Sequence, residues 1–197
     1  MRCSHAVEGK RRLREQVLAR RRALTADDRA AAGEQLAAVA TQRWTGVGCL
    51  AAYAAVGAEP PTRQLLDALH AGGACVLLPV VAGEDLHWAA YAGWDRLRRS
   101  DRGLLEPDPV TAEPGALETA EVVLVPALAV DRHGHRLGRG AGYYDRSLTD
   151  RAGTADLVAV VYDDEVFDDL PVEPHDIDVR WALTPTGLLP LGEQSGQ

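Results

Sequence analysis

Two apolar runs of strand length, separated by a proline pair and a short helical pattern, constrain the fold more than any other part of this chain. The first run covers residues 47–56, and the prolines at 60–61 forbid a continuing strand interior after it. Thr62 is placed to cap a helix over residues 63–71, and the second run follows at residues 74–81. Buried parallel strands have continuous apolar sequences of this kind. The pattern is a βαβ unit, and it predicts an α/β fold.

The rest of the chain continues this alternation of helices and strands. Thr25 and Asp28 form a capping-box-like start for a helix. Residues 95–118 show little periodicity and contain Gly103 and three prolines, so we expect a long loop there. The other expected elements are an amphipathic helix over residues 8–24, a helix over residues 26–43, an antiparallel or edge strand over residues 86–92, and a buried strand over residues 157–162.

Length and charge limit the class of protein. A chain of 197 residues is long enough for one sizeable hydrophobic core and too short for two domains of ordinary size, so we expect a single domain over residues 1–197. We expect its ends, residues 1–8 and 191–197, to be flexible. The formal net charge of −8 argues against a general nucleic-acid or membrane-surface binder. We expect a monomer that binds neither nucleic acid nor membrane.

The cysteines indicate a reducing compartment. Cys3, Cys49 and Cys75 are an odd number in no metal-ligand spacing, and the last two lie in apolar runs where a buried free thiol is common. The N-terminus has no apolar signal segment, and no stretch approaches the ~20 apolar residues of a membrane span. These features favour a cytoplasmic protein.

Residues 136–146, with the sequence R-L-G-R-G-A-G-Y-Y-D-R, are the most specific short segment of the chain. Gly138, Gly140 and Gly142 free the backbone to take positive φ and to lie against a ligand without an intervening Cβ. A helix that starts near Gly142 would add its unpaired amides and positive dipole end to the same concavity. The segment therefore has the outline of a phosphate-binding turn.

Charged side chains surround this turn. Arg136, Arg139 and Arg146 supply fixed positive charge, and a guanidinium group matches phosphate in a bidentate way. Asp145, in the first helical turn, is placed to hold a magnesium ion whose other ligands are water and phosphate oxygens. The alternative is a tight loop that is merely rich in glycine and arginine. The glycines alone favour that alternative, because they match neither the Walker pattern nor the dinucleotide fingerprint.

Further candidates lie on other elements. Lys10 and Arg14 are one helical turn apart and could point at a single anionic group, although a solvated helix face is the simpler interpretation. Glu59 follows the first strand, at the edge where open α/β sheets bind ligands, or is an exposed acid in a turn. Trp88 and Trp94 could stack on a pteridine, or pack in the core or at the rim. The acidic residues between 163 and 169 suggest a solvated face.

Several segments together resemble the 5-formyltetrahydrofolate cyclo-ligases, also called methenyltetrahydrofolate synthetases. The glycine segment resembles the signature R-L-G-x-G-x-G-Y-Y-D-R of that family, together with V-P-A-L-A-V-D at residues 125–131 and G-H at residues 134–135. Shorter matches are the family's K-x-x-L-R element at residues 10–14, its G-I-x-E-P element at 103–107, and P-H-D at 174–176. The resemblance covers nearly the whole chain.

The resemblance implies a fold, a reaction and a set of site residues. The fold is a single α/β domain with a largely parallel sheet flanked by helices, in Rossmann-like layers, with residues 95–118 ordered over the site. The reaction is the ATP- and magnesium-dependent conversion of 5-formyltetrahydrofolate to 5,10-methenyltetrahydrofolate with release of ADP and phosphate. It proceeds by phosphorylation of the formyl oxygen and ring closure through N10. The implied residues are Lys10, Arg14, Arg136, Gly138, Arg139, Gly140, Ala141, Gly142 and Tyr143 for ATP; Glu59, Gly140 and Tyr144 for the reduced folate; Arg139 and Tyr144 for catalysis; and Asp145 and Asp176 for magnesium.

Three departures from the family pattern keep alternatives open. Ala141 stands where many members have a lysine, Pro61 replaces an acid before Thr62, and Arg180 stands where an acid usually follows P-H-D. One alternative is therefore a non-catalytic nucleotide- or folate-binding homologue. Another is an unrelated phosphate-binding enzyme that shares only the glycine loop. His175 has no implied role.

Overall fold

The computed structural model describes residues 2–83, 85–108, 110, 112, 115–140, 142–148, 154–171 and 176–192, with side chains from residue 7 onward. The helices are α1 (Arg2–Ala23), α2 (Ala26–Trp44), α3 (Arg63–Ala71) and α4 (Tyr143–Leu148). The strands are β1 (Cys49–Ala51), β2 (Cys75–Ala82), β3 (Asp85–Ala90), β4 (Leu97–Arg99), β5 (Leu105–Pro107), β6 (Val122–Pro126), β7 (Ala129–Asp131), β8 (Arg136–Leu137), β9 (Asp156–Val160), β10 (Val166–Phe167), β11 (Trp181–Thr184) and β12 (Gly187–Pro190). No helix among these residues is long and apolar enough to cross a bilayer.

A seven-stranded sheet forms the centre, in the order β12-β11-β9-β6-β1-β2-β3. The five inner strands are parallel to their neighbours, and β12 and β3 add an antiparallel strand at each edge. The largely parallel α/β sheet predicted from the sequence is therefore confirmed, as is the antiparallel strand near residues 86–92.

The inner strands of the seven-stranded sheet are buried on both faces because their side chains alternate between two cores. Leu50 and Leu124 face a cluster that includes residues of α2 and α3. Ala51 and Val123 face the opposite cluster, to which Leu148 of α4 contributes. The inner strands β1, β2, β6 and β9 therefore have largely apolar sequences, which made these strands recognisable.

A smaller sheet, β10-β7-β8, carries the chain towards the glycine segment. Val17 of α1 packs there against Leu128 and Leu137. The buried carboxylate of Asp131, at the end of β7, accepts hydrogen bonds from the backbone N–H of His133, His135 and Leu170 at 2.9 to 3.0 Å. The His135 Nδ1 atom lies 2.7 Å from the same carboxylate. Asp131 thereby fixes the turn that leads into β8.

Several local expectations need correction. The predicted capping box of Thr25 and Asp28 is present, but α1 begins at Arg2 rather than at residue 8. In the first apolar run only Cys49–Ala51 pairs as a strand. Thr62 makes no side-chain cap for α3. Its hydroxyl donates to the Tyr53 carbonyl oxygen at 2.8 Å and accepts from Ala55 N at 2.9 Å, because the loop after β1 leaves those backbone groups without strand partners.

The long segment at residues 95–118 is more regular than its sequence suggests. Strands β4 and β5 form an antiparallel hairpin within it. Ala54 forms an isolated bridge with Leu105, and Val81 N donates to Glu106 Oε1 at 3.2 Å. These contacts hold the hairpin over the ends of β1 and β2. Residues 109, 111, 113 and 114 of this segment lie outside the described residues.

The acidic run at residues 163–169 is only partly a solvated face. Glu165 is buried and forms an ion pair with buried Arg21 of α1, whereas Asp168 is exposed. The expectation failed for Glu165 because charge runs in sequence do not show which member meets a cation from a distant helix. Residues 193–197 of the tail lie outside the described residues.

Candidate active site

A cavity of about 370 Å³ opens at the carboxyl ends of the parallel strands. This is the edge at which open α/β sheets bind their ligands, because the loops leaving adjacent strands diverge there. Tyr53, Ala54 and Glu59 enter the cavity after β1, and Pro126 and Ala127 enter it at the end of β6. The other lining residues are Pro79, Val81, Leu86, Arg102, Leu104, Leu105, Arg136, Gly138, Arg139, Gly140, Gly142, Tyr143, Tyr144 and Asp145.

The glycine segment forms one wall of the cavity between β8 and α4. Gly140 and Gly142 have φ values of +102° and +69°, a region that strongly favours glycine. A Cβ added at Gly142 would lie 2.9 Å from Arg146 Nη1, so a side chain there would displace this guanidinium group. The Gly138 carbonyl oxygen accepts a hydrogen bond from Arg14 Nε at 2.9 Å. Ala141, one of the expected ATP-binding residues, lies outside the described residues.

Arg136 joins the glycine wall to the first of the two expected metal ligands. Its Nη2 atom donates to Asp145 Oδ1 at 2.5 Å, and its Nη1 atom donates to the Pro126 carbonyl oxygen at 3.3 Å. Ile177 N also donates to Asp145 Oδ1, at 3.4 Å. Asp145 is therefore held from two sides at the start of α4.

Lys10 and Asp176 form the second charged contact. The buried Lys10 Nζ atom lies 2.6 Å from Asp176 Oδ2. Because Ile177 contacts Asp145, the segments that carry Asp145 and Asp176 adjoin one another. In the described ranges there is no group of three or more His, Cys, Asp or Glu residues placed to hold a metal ion. The described residues that line the cavity include neither Lys10, Arg14 nor Asp176, and Arg14 contacts the glycine wall from outside the cavity through the Gly138 carbonyl oxygen.

Glu59 faces the glycine wall from the loop after β1. Its Oε1 atom lies 3.3 Å from Arg139 Nη2, and its Oε2 atom accepts a hydrogen bond from Val56 N at 2.8 Å. Burial raises the pKa of Glu59 above its ordinary value, and the Val56 N–H and the Arg139 charge only partly offset this. The sequence could not distinguish Glu59 from an exposed acid in a turn, and the structure shows a buried carboxylate.

The two tyrosines of α4 have different surroundings. The Tyr143 hydroxyl accepts a hydrogen bond from Arg102 Nη1, and the guanidinium carbon of Arg146 lies 5.3 Å from the Tyr143 ring centroid. The Tyr144 ring packs edge-on to the Trp88 ring with centroids 6.5 Å apart. Burial raises the pKa of Tyr144, so this phenol stays protonated. Trp88 is thus a core residue in the described structure.

The sequence interpretation missed several lining residues. One of them is Tyr53, which has a polar side chain and lies two residues after β1. Its position at the carboxyl end of a parallel strand could have identified it from the sequence, because open α/β sheets bind ligands at that edge. Pro79 and Val81 looked like ordinary strand residues. Arg102 lies in the hairpin that was expected to be a loop. His175 lies outside the described residues, and Arg180 Nη1 lies 3.5 Å from Asp156 at the surface.

Comparisons with known proteins identify the family of this chain. The model of the 5-formyltetrahydrofolate cyclo-ligase family matches residues 6–185. A 5-formyltetrahydrofolate cyclo-ligase from Mycolicibacterium smegmatis is 48% identical over 140 residues, which are 68% of this chain and 72% of the relative. One from Escherichia coli K12 is 29% identical over 174 residues, which are 85% of this chain and 95% of the relative. The solved structure of Aquifex aeolicus 5,10-methenyltetrahydrofolate synthetase matches with a TM-score of 0.81 at 26% identity over 95% of each chain.

The fold and the comparisons define an α/β enzyme with a glycine-rich wall at the carboxyl edge of its sheet. The chain belongs to the 5-formyltetrahydrofolate cyclo-ligase family, as its sequence motifs predicted. This membership excludes the unrelated phosphate-binding enzyme.

Proposed function

We propose that this protein converts 5-formyltetrahydrofolate to 5,10-methenyltetrahydrofolate with hydrolysis of ATP to ADP and phosphate. The observation that carries the proposal is that, in a chain of this family, one cavity has a wall rich in glycine and arginine and a buried carboxylate opposite it. The glycine segment and its arginines form one wall, and buried Glu59 lies opposite within reach of Arg139. An anionic co-substrate and a ring with N–H groups can therefore meet in the same cavity.

The glycine wall suits phosphate groups. Gly140 and Gly142 have no Cβ, so a ligand can approach their backbone closely. Arg139 is half-exposed and can leave Glu59 for a phosphate at little cost, whereas buried Arg136 is fixed by Asp145. Arg14 holds the Gly138 carbonyl and so fixes the shape of the wall. We propose that Lys10 and Arg14 support phosphate binding from behind this wall, with Tyr143 beside it.

A magnesium ion fits the acidic residues next to this wall. Proteins hold magnesium with one or two carboxylates while phosphate oxygens and water complete its shell. Asp145 and Asp176 are carboxylates on adjoining segments, and each is ion-paired, with Arg136 and Lys10 respectively. We propose that they hold the ion together. When bound, magnesium supplies positive charge against the phosphate oxygens.

The chemistry requires activation of a poor leaving group. The formyl oxygen attacks the γ-phosphorus of ATP, and the bond from that phosphorus to ADP breaks. N10 then attacks the activated formyl carbon, the carbon–oxygen bond breaks, and phosphate leaves as N10 loses its proton. We propose that Arg139 neutralises charge on the transferred phosphoryl group, which is the main way proteins accelerate such transfers. We also propose that Tyr144, which burial keeps protonated, donates a hydrogen bond to the substrate.

The test is formation of the methenyl product, followed by its near-ultraviolet absorbance. We expect product that requires ATP and magnesium, and we expect its loss in Asp145→Ala. Asp168→Ala is a matched control, because Asp168 is an exposed acid that pairs only with exposed Arg132 among the described residues. Equal loss in both variants would contradict the role of Asp145.

The alternative is a non-catalytic homologue that binds nucleotide or folate. The replacement of a family lysine by Ala141 is the observation in its favour. Calorimetry that detects folate or ATP binding without any product would favour it over the ligase. We also propose that the protein acts as a monomer in the cytoplasm, which light scattering and cell fractionation test.

A further inference from the structure

The cavity has an apolar end that the phosphate chemistry does not use. Ala54, Pro79, Val81, Leu86 and Leu105 line it, and the β4–β5 hairpin covers it. Apolar side chains of this kind suit a ring system rather than phosphate groups. Polar groups beside them would then orient the ring.

Tyr53 brings one such polar group. Its side chain is 4% exposed and lines the cavity, yet no described residue offers its Oη atom a hydrogen-bond partner. A buried hydroxyl without a partner is unfavourable and uncommon in native proteins. The Thr62 hydroxyl donates to the Tyr53 carbonyl oxygen at 2.8 Å and so helps to fix the backbone from which this side chain enters the cavity.

The surroundings of Tyr53 fix its role as a donor. Burial raises the pKa of this phenol well above its ordinary value, and the Glu59 carboxylate raises it further. The phenol therefore keeps its proton and offers one O–H donor. Glu59, which lines the same cavity, offers acceptor atoms. The two side chains therefore offer a donor and an acceptor to the same cavity.

We propose that Tyr53 binds the pterin ring of the reduced folate by donating a hydrogen bond to the ring carbonyl oxygen, while Glu59 accepts from the adjacent ring N–H groups. This inference rests on the proposed function and adds a binding residue to it. The pterin edge carries a carbonyl beside N–H groups, which is the complement of a phenol beside a carboxylate. The substrate would then supply the partner that the described residues do not offer to the Tyr53 hydroxyl.

The test is the Tyr53→Phe variant with Tyr162→Phe as its matched control. The Tyr162 side chain is 8% exposed, and its Oη atom likewise has no partner among the described residues, but it does not line the cavity. For Tyr53→Phe we expect the Kd and KM for 5-formyltetrahydrofolate to rise about 3- to 10-fold, the effect of one neutral hydrogen bond. The KM for ATP and the Tm of the free protein should not worsen.

Each outcome separates this role from a structural one. Unchanged folate affinity in Tyr53→Phe would overturn the inference and leave the phenol satisfied by a buried water. Parallel losses for ATP and folate, or a fall in Tm, would also overturn it, because they would indicate general damage. A wild-type protein that neither binds nor converts 5-formyltetrahydrofolate would overturn the proposed function and this inference with it.

Discussion

The buried ion pair between Arg21 and Glu165 offers the sharpest test of how the N-terminal helix is attached. Arg21 Nε and Nη2 donate to the two Glu165 carboxylate oxygens at 2.6 and 2.7 Å, and Nη2 also donates to the Ala127 carbonyl oxygen at 2.7 Å. The side chains are only 1% and 2% exposed. Tyr162 N donates to Glu165 Oε2 at 2.8 Å. The pair therefore joins α1 to the end of β9 and to the cavity wall at Ala127.

Replacing Arg21 with methionine keeps the apolar stem and removes the charge. Glu165 is then left buried without its cation, a change that costs about 3–5 kcal/mol. For a domain of 150–250 residues, each kcal/mol shifts Tm by about 2–4 °C, so we expect Tm to fall by about 6–20 °C. Burial already raises the pKa of Glu165, and the loss of Arg21 raises it further. The folded variant then binds the proton more tightly than the unfolded chain, so its stability falls as pH rises.

The neighbouring residue provides the control. Arg20 Nη1 lies 3.2 Å from Asp164 Oδ2, on the same helix and against the same turn, but these side chains are 47% and 62% exposed. Arg20→Met should therefore lower stability by at most about 1 kcal/mol. Urea unfolding at pH 6 and pH 8 measures both variants. The double variant Arg21→Met/Glu165→Gln, which keeps an acceptor for Tyr162 N, should recover at least half of the loss.

Two results would refute this reasoning. Equal losses in Arg20→Met and Arg21→Met would show that burial of the pair does not matter. A double variant as unstable as the sum of its single variants would show that the two residues are not energetically coupled.

Three further predictions concern single residues. Glu59→Gln should remove a destabilising charge. Burial raises the pKa of Glu59 in the folded protein above 4.5, so its contribution to wild-type stability is greatest below pH 4.5 and declines as the pH rises. Urea unfolding of the variant should not show this decline. Lys10, the sole lysine, should resist reductive methylation in the folded protein and react faster in Asp176→Ala, as mass spectrometry can show. Gly134→Ala should destabilise by at least about 1–3 kcal/mol, because φ is +99° and the new Cβ would lie 2.6 Å from a carbonyl oxygen, whereas Gly57→Ala, with open space at φ +65°, should lose less in the same unfolding assay.

The sequence predicted the sheet well because burial on both faces produces continuous apolar runs. It predicted α3 to the residue, since the flanking prolines and glycines define its ends. It overestimated β1, because the residues after Ala51 are apolar for packing around the cavity rather than for strand pairing. It missed the β4–β5 hairpin, whose strands of three residues are too short to show an alternating pattern.

The site residues could be predicted where they belong to one short segment of the sequence. Of the three glycines expected to allow positive φ, Gly140 and Gly142 take it, whereas Gly138 does not. The partners of Lys10 and Arg14 were not predictable, because they lie 166 and 124 residues away in sequence. No local pattern indicates such pairs, and the roles of these residues towards ATP stay predictions.

The inward face of α1 shows why its charges were hard to interpret. Lys10, Arg14, Val17 and Arg21 recur at helical spacing. The apolar residues Leu13, Val17 and Leu18 predict an amphipathic helix, but they do not show that the cations beside them also contact the protein. Each cation on it nevertheless has a partner: Asp176, the Gly138 carbonyl and Glu165. A helix can bury a basic face only if the rest of the chain supplies such acceptors at fixed positions. Arg14 thereby attaches α1 directly to the glycine wall, so that under the proposed function one residue would serve both phosphate binding and attachment of the helix.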